Sequence, residues 1–295
     1  MAARQTIGFI GTGVMGEPMC RNLAAKSGAR VVAYDANPEP LARLAAAGVE
    51  AMAGVAPVAQ AAEVVFLCLP GAPQVREVCL GAQGLAALAR PGQTVVDMST
   101  STPALAREIA QRLSEKGASF ADAPVARTRE AAQSGTLSIM VGGDAAVVER
   151  IRPYLACMGS DITHCGPVGA GEVVKLINNM IVCQNVIVAA GALALGERSG
   201  IDGKLLLETL AKGSADSFVL RNHAIKSLLP KTYPERAFSV EYMLKDLGYA
   251  LDVARETGLK LESAELAQSL YRAAVRQGVG GRYFPVVRQV IEKGG

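Results

Sequence analysis

The chain has 295 residues, half of them apolar, with 19% charged residues and a formal net charge of +3. That is enough to bury one large or two medium cores. The near balance of charge and the absence of Trp argue against a dedicated nucleic-acid binder, which clusters Lys/Arg and offers stacking rings. In chain order, Thr6–Ile10 reads as a short apolar strand, followed by a glycine turn and a helical stretch to about Lys26. Arg30–Tyr34 reads as a strand, Pro40–Ala47 as a helix, and Val64–Leu69 as a strand stopped by Pro70. Thr94–Asp97 is the next strand, and Ser101-Thr102-Pro103 looks like a helix start with proline in the first turn. Ser119–Asp122 and Ser138–Val141 complete the strand set. Strands and helices alternating over short connections predict a mostly parallel, doubly wound sheet with helices on both faces.

The second half changes character. Past Gly166-Pro167 there is almost no strand signal. Glu172–Arg198 carries apolar residues at nearly every core-facing position of a 3.6 period and predicts a helix buried on several sides, about 40 Å long. Its apolar stretch Met180–Leu195 is interrupted by Gln184 and Asn185 and is shorter than a membrane span requires, so no membrane is expected. Further helices are expected at Gly203–Lys212, Ser239–Thr257 and Ser263–Gln277. The expected organisation is an α/β Rossmann domain (1–165) followed by an all-α domain (166–295) built on one long interdomain helix. The six cysteines form no C-x-x-C pair and read as small core residues, and with two histidines there is poor material for a metal site. No metal is expected. His164 and His223 read as structural. Nothing at the start of the chain has the form of an export signal, so the cytoplasm is the default compartment.

The first strand runs into Gly11-Thr12-Gly13-Val14-Met15-Gly16. Gly11 permits the tight turn into a helix, Gly13 lets backbone approach a pyrophosphate, and Gly16 allows close helix-on-strand packing. The helix N-terminus then offers unpaired N–H groups and a positive dipole end. Such a turn alone is weak evidence. Here a strand precedes it, a helix follows, and the second strand ends on Asp35, 24 residues beyond Gly11. An acid at about that spacing holds the adenosine ribose hydroxyls and repels a 2′-phosphate. Ala36 follows where an arginine would favour the phosphate. The expected cofactor is NAD, with NADP second.

The long helix opens Gly169-Ala170-Gly171-Glu172-Val173-Val174-Lys175-Leu176-Ile177-Asn178-Asn179. Lys175 and Asn179 are four apart and share a face. Gly171 lies one turn earlier and would leave space for a ring or a substrate. Lysine and asparagine at the head of an apolar helix call for an explanation, and an apolar setting would lower the lysine's proton affinity enough for acid/base work near neutral pH.

With these residues in view the chain resembles the β-hydroxyacid dehydrogenase family, which includes 3-hydroxyisobutyrate dehydrogenases and tartronate semialdehyde reductases. The matches run over nearly the whole length: the Gly11 turn, Leu69-Pro70, Asp97-x-Ser99-Thr100, Asp122-Ala123-Pro124-Val125, Gly135-Thr136-Leu137, Met140-Val141-Gly142-Gly143, Gly171-x-x-x-Lys175-x-x-Asn178-Asn179 and Lys245-Asp246-Leu247. The resemblance implies Lys175 as general acid/base, Asn179 orienting the substrate with Asn178 beside it, and Leu69, Pro70 and Thr100 lining the nicotinamide side. It brings Lys245 to both cofactor and substrate acid group, and counts Asp246 with the cofactor residues.

Where many members carry Ser-Gly-Gly, this chain has Ala126-Arg127-Thr128, similar to the Gly-Arg-Thr of sulfolactaldehyde reductases. A guanidinium grips a carboxylate or sulfonate through paired N–H donors, so Ala126, Arg127 and Thr128 are expected at the substrate's anionic tail. The family's C-terminal Asp-x-Ser is replaced by Gly281-Arg282-Tyr283-Phe284. The expected activity is hydride transfer between NAD and the alcohol carbon of a small anionic hydroxy acid or its semialdehyde, in a homodimer or homotetramer. A 6-phosphogluconate dehydrogenase would carry His at position 178 and a longer helical domain. An imine or sulfolactaldehyde reductase, or a non-catalytic dinucleotide sensor or scaffold, are the remaining alternatives. Lys175 speaks against imine chemistry, and its retention with Asn179 and Lys245 speaks against the sensor.

Overall fold

The computed structural model describes residues 5–235 and 237–293 and divides into two compact units, Met1–Lys175 and Leu176–Gly295. The first unit is built on strands β1 (Thr6–Ile10), β2 (Arg30–Tyr34), β3 (Glu50–Ala51), β4 (Val64–Leu67), β5 (Thr94–Asp97), β6 (Ser119–Asp122), β7 (Val125–Ala126), β8 (Leu137–Gly143) and β9 (Gly159–Gly166). They pair in the order β3-β2-β1-β4-β5-β6-β8-β7, with β9 on β8. The first six are parallel, as the alternation predicts. The far edge departs: β8 runs antiparallel to both β6 and β7, and β9 is parallel to β8.

Strands β1 and β4 are apolar on both sides and wholly buried, because helices cover both faces of a parallel sheet. The side chains alternate with the pleat. Phe9 and Phe66 join Met19, Leu23, Ile151 and Leu155 in one apolar layer. Ile10 and Leu67 join Val58, Ile109 and Leu113 in another. Asn37, Thr102 and Asp144 cap their helices by accepting from Glu39, Leu105 and Ala146 N–H groups, the role that short polar side chains play at helix starts.

The order of the sheet reverses between β1 and β4. In an open parallel sheet, ligands bind outside the carboxyl ends of the strands at such a switch point. Ile10, Leu67, Asp97 and Asp122 stand in register at these ends, and the loops beyond them carry the glycine turn, Leu69-Pro70 and Ser99–Ser101.

The second unit is helical, with isolated bridges Glu235–Arg282 and Ser239–Tyr283 in place of a sheet among the described residues. The long helix Ala170–Arg198 begins in the first unit and runs through this one. Helices Gly203–Leu210, Val240–Glu256 and Glu262–Arg276 follow close to their expected bounds, and a π-helical segment Leu220–Leu228 is added. Val186, Leu193, Leu247, Tyr271 and Phe284 lie in its core. The long helix is less covered than its composition predicts: Ile181, Val188 and Leu195, seven residues apart, are 49%, 70% and 70% exposed. By length and composition alone it could also cross a membrane.

Candidate active site

Gly11 sits at φ +90°, and a Cβ there would lie 2.3 Å from the Cys68 carbonyl oxygen. A Cβ on Gly16 would lie 2.0 Å from the Gly11 carbonyl oxygen. Both glycines are therefore demanded by close backbone approach. Gly13 is different: a Cβ would meet nothing within 4 Å. Its surface is open, which is what a pyrophosphate laid against the turn requires. Val14, in the same turn, is 53% exposed.

Asp35 ends β2 and turns back to the glycine turn. Its Oδ2 accepts from Thr12 N at 2.5 Å and from Thr12 Oγ1 at 3.2 Å, and its Oδ1 accepts from Asn37 N at 2.8 Å. The carboxylate is thus fixed at the end of β2, beside the turn, with oxygens able to accept further hydroxyl protons. These residues fit the diphosphate and adenosine ribose of a nicotinamide dinucleotide. Leu69 N donates to Ser99 Oγ at 2.8 Å, joining the loops after β4 and β5.

Lys175 is 8% exposed and lies in the second turn of the long helix. Asp122 seats that helix from outside. Its Oδ1 accepts from Gly169 N at 2.7 Å and its Oδ2 from Glu172 N at 2.9 Å, answering N–H groups that a helix start leaves unpaired. Gly171 corrects the sequence reading. It leaves no room for a ligand, because a Cβ there would lie 2.3 Å from the Met140 carbonyl oxygen and 2.9 Å from Asp122 Oδ2. The glycine lets the helix press against β8.

In the helical unit, Asn179 Nδ2 donates to Asp246 Oδ2 at 2.6 Å, and Asn178 Nδ2 donates to Asn179 Oδ1 at 3.0 Å. Lys245 pairs with Asp246 Oδ1 at 2.7 Å, and its Nζ lies 5.8 and 5.1 Å from the ring centres of Tyr242 and Tyr249. Asp246 is 1% exposed. It holds Asn179 and Lys245 in place. Tyr242 and Tyr249 were not singled out from the sequence. They sit three before and four after Lys245 on one helix, a spacing that puts them on the lysine's face.

Arg127 also differs from expectation. It has φ +85°, and its guanidinium is already engaged in its own unit. Nη1 donates to the Thr136 carbonyl at 2.6 Å and to Ser160 Oγ at 3.0 Å, and Nη2 pairs with Asp161 at 2.7 Å. Thr128 precedes the short helix Arg129–Ser134 and makes no side-chain cap bond. His164 Nε2 lies within hydrogen-bond distance of the Gly143 and Gly166 carbonyl oxygens. His223 Nδ1 lies 2.6 Å from Tyr283 Oη, and burial holds its pKa down to about 4, so it is neutral near pH 7 and unsuited to proton transfer there.

The switch-point glycine turn, with an acid at the end of β2, defines the class as a nicotinamide-dinucleotide oxidoreductase. A profile of the NAD-binding domain of 6-phosphogluconate dehydrogenase matches residues 6–166, and one described as the NAD-binding region of NADP-dependent 3-hydroxyisobutyrate dehydrogenase matches 169–287. An NAD-dependent L-serine dehydrogenase from Pseudomonas aeruginosa is 36% identical over 291 residues, 97% of each chain. A 2-(hydroxymethyl)glutarate dehydrogenase from Eubacterium barkeri is 34% identical over 287 residues, 97% of this chain and 95% of its own. The solved structure of 3-hydroxyisobutyrate dehydrogenase from Mycobacterium tuberculosis with L-serine aligns with a TM-score of 0.88 at 30% identity, covering 98% of this chain and 99% of that one. The chain belongs to the β-hydroxyacid dehydrogenase family. It is an NAD(P)-dependent oxidoreductase of small hydroxy acids.

Proposed function

We propose that the enzyme interconverts a primary alcohol and its semialdehyde in a small 3-hydroxy acid branched at carbon 2, with Lys175 as the general acid/base. The observation that carries this reading is Lys175 itself: a buried lysine on a helix start seated by Asp122, in the same unit as the dinucleotide turn. The substrates named for the three relatives share one skeleton, a hydroxymethyl on the carbon next to a carboxylate. They differ in the branch, which is amino in L-serine, methyl in 3-hydroxyisobutyrate and carboxyethyl in 2-(hydroxymethyl)glutarate.

In oxidation Lys175 takes the hydroxyl proton, and in reduction it returns it. Asn179, one turn later and held by Asp246, orients the same oxygen. Asn178 steadies Asn179, and Lys245 meets the acid group. Bound at the glycine turn, the nicotinamide supplies the hydride acceptor and donor. Holding the reactants in register provides much of the rate. NAD is the preferred dinucleotide in this reading because Asp35 faces the turn and Ala36 brings no cation. The match to a profile named for an NADP-dependent enzyme makes measurement with both dinucleotides essential.

Arg127 and Thr128 hold the branch when it is acidic. The guanidinium must then share or exchange Asp161. Replacement of Arg127 by Ala is expected to raise KM for 2-(hydroxymethyl)glutarate at least tenfold and to leave KM for 3-hydroxyisobutyrate little changed; an equal effect on both removes Arg127 from the tail site. The exposed line Ile181, Val188 and Leu195 supports pairing with a second copy as a dimer or tetramer, and light scattering of Val188→Glu against the parent tests it. All six cysteines are free thiols, which suits a reducing compartment, the cytoplasm first.

The deciding experiment is a panel of 3-hydroxyisobutyrate, L-serine, 2-(hydroxymethyl)glutarate, glycerate, threonate, sulfolactate and 4-hydroxybutyrate with each dinucleotide. Turnover confined to the branched 3-hydroxy acids supports the reading. Best turnover with sulfolactate or 4-hydroxybutyrate rejects it.

A further inference from the structure

Three carboxyl groups meet inside the first unit. Asp97 ends β5, Asp122 ends β6, and Glu172 lies in the first turn of the helix carrying Lys175; they are 1%, 0% and 0% exposed. None of the three forms an ion pair among the described residues. Asp122 is answered by backbone N–H groups at the helix start. Glu172 is answered on one side: its Oε1 accepts from Ser101 N at 3.0 Å and Ser101 Oγ at 2.9 Å, while its Oε2 is buried with no hydrogen-bond partner among the described residues. Ser101 Oγ also lies 3.4 Å from Asp97 Oδ2, and Asp97 Oδ1 accepts from Ser99 N at 2.9 Å.

These bonds form a chain across the carboxyl edge of the sheet. The glycine turn packs on Cys68, Leu69 bonds Ser99, Ser99 bonds Asp97, and Ser101 bonds Glu172, three residues before Lys175. We propose that Glu172 is a positioning residue of the reaction: its buried carboxyl ties the Ser99–Ser101 loop, and through it the loop against the glycine turn, to the helical turn that carries Lys175. The proposal rests on Lys175 acting as the acid/base.

The tie works as a neutral acid. Three carboxylates buried together, none in an ion pair, cannot all ionise, and an anion with an orphaned oxygen is worse placed than an acid. Burial first, then Asp97 and Asp122, push Glu172 well above the usual carboxylate range. Burial lifts Asp97 despite hydrogen bonds from Ser99, with Asp122 adding to the rise, and burial lifts Asp122 against the helix N–H groups. Other titratable groups near the cluster are Lys175 on the same helix, Arg107, whose guanidinium approaches Gly169 at the helix start, and the thiols of Cys68, Cys79 and Cys165. Burial raises those thiols, so they stay neutral.

The test compares Glu172→Gln, Glu172→Ala and Ser101→Ala by kcat, by dinucleotide Kd, and by melting temperature from pH 5 to 9. Glutamine keeps the acceptor and mimics the acid, so kcat within about threefold of the parent is expected. Alanine is expected to lower kcat tenfold or more with Kd within about twofold. Ser101→Ala, which keeps the backbone donor, is expected to fall between and serves if Glu172→Ala does not fold. The parent should lose melting temperature relative to Glu172→Gln as pH rises, since glutamine has no proton to lose. The proposal is overturned if glutamine is as damaging as alanine, if alanine or Ser101→Ala leaves kcat untouched, or if the two pH curves run parallel. A parent that turns over no hydroxy acid counts against the functional reading instead, and the pH curves still decide whether Glu172 is a buried acid.

Discussion

Two acid-bearing regions lie along the same edge of the sheet, and they use carboxyl groups in opposite ways. Asp35 is partly open to solvent, and both of its oxygens are met by donors from Thr12 and Asn37. It can hold a ligand's hydroxyls because it is reachable from solvent. Asp97, Asp122 and Glu172 are sealed from solvent and crowd one another. They organise a loop and a helix start and touch no solvent. The difference teaches that a carboxylate near a cofactor site earns its role from its surroundings, and that a buried one can serve as a neutral fastener.

The sharpest separation of the two regions is Lys175→Ala. Removing a positioned acid/base typically lowers rate by about 10²–10⁴-fold. We expect that loss in kcat with dinucleotide affinity unchanged, read by steady-state kinetics and titration; near-normal turnover would dissolve the division between a region that binds and one that reacts. Next is Asp97→Asn. Asp97 is pushed up to about 6 from an unfolded value near 4, so the folded chain holds a proton that the unfolded chain releases. Stability must then fall as pH rises from 4 through 6 and stay lower above. The variant should remove a penalty on the order of 2–3 kcal/mol at pH 8, seen as a flatter urea midpoint against pH.

Asp35→Ser attacks the other region. Hydrogen bonds to a charged group are worth about 1.5–3 kcal/mol, so the NAD/NADP preference should shift roughly 10- to 100-fold toward NADP; an unchanged ratio of kcat/KM would mean that selectivity lies elsewhere. The smallest effect is expected from Asp161→Ala. Its pairing with Arg127 is exposed on both sides, and such pairs contribute about 0–1 kcal/mol. Melting temperature should barely move, whereas KM for a diacid should change if the freed guanidinium engages the tail.

Much of the first region was legible in the sequence. The strand, glycine turn, helix and terminal acid are local features with fixed spacing, and β1, β2 and β5 fall at their expected residues. The segment ending at His164 looks strand-like but stays outside the expected strand set, because β9 is polar and exposed at the sheet's far edge, and β3 and β7 are two residues long, too short to show a period. The second region was hidden for a different reason. Ser101 reads as part of a helix start, yet Thr102 takes the cap and Ser101 bonds Glu172, 71 residues away. Gly171 looked like a space for a ligand because sequence cannot show that a backbone carbonyl already fills it. Arg127 had the right chemistry for an anion, but sequence spacing does not show that Asp161, on the edge strand β9, stands opposite it.

The tight contact at Gly171 has a further consequence for how such an enzyme changes over time. It acts as a depth stop for the long helix against Met140, and the lysine one turn later inherits its tolerance. A shift of about 1 Å at a reacting group can lower rate on the order of 10²-fold. Mutational drift at this stop is therefore nearly closed, and new substrate preferences have to be acquired at positions such as 126–128, where a side chain can be exchanged without moving the helix.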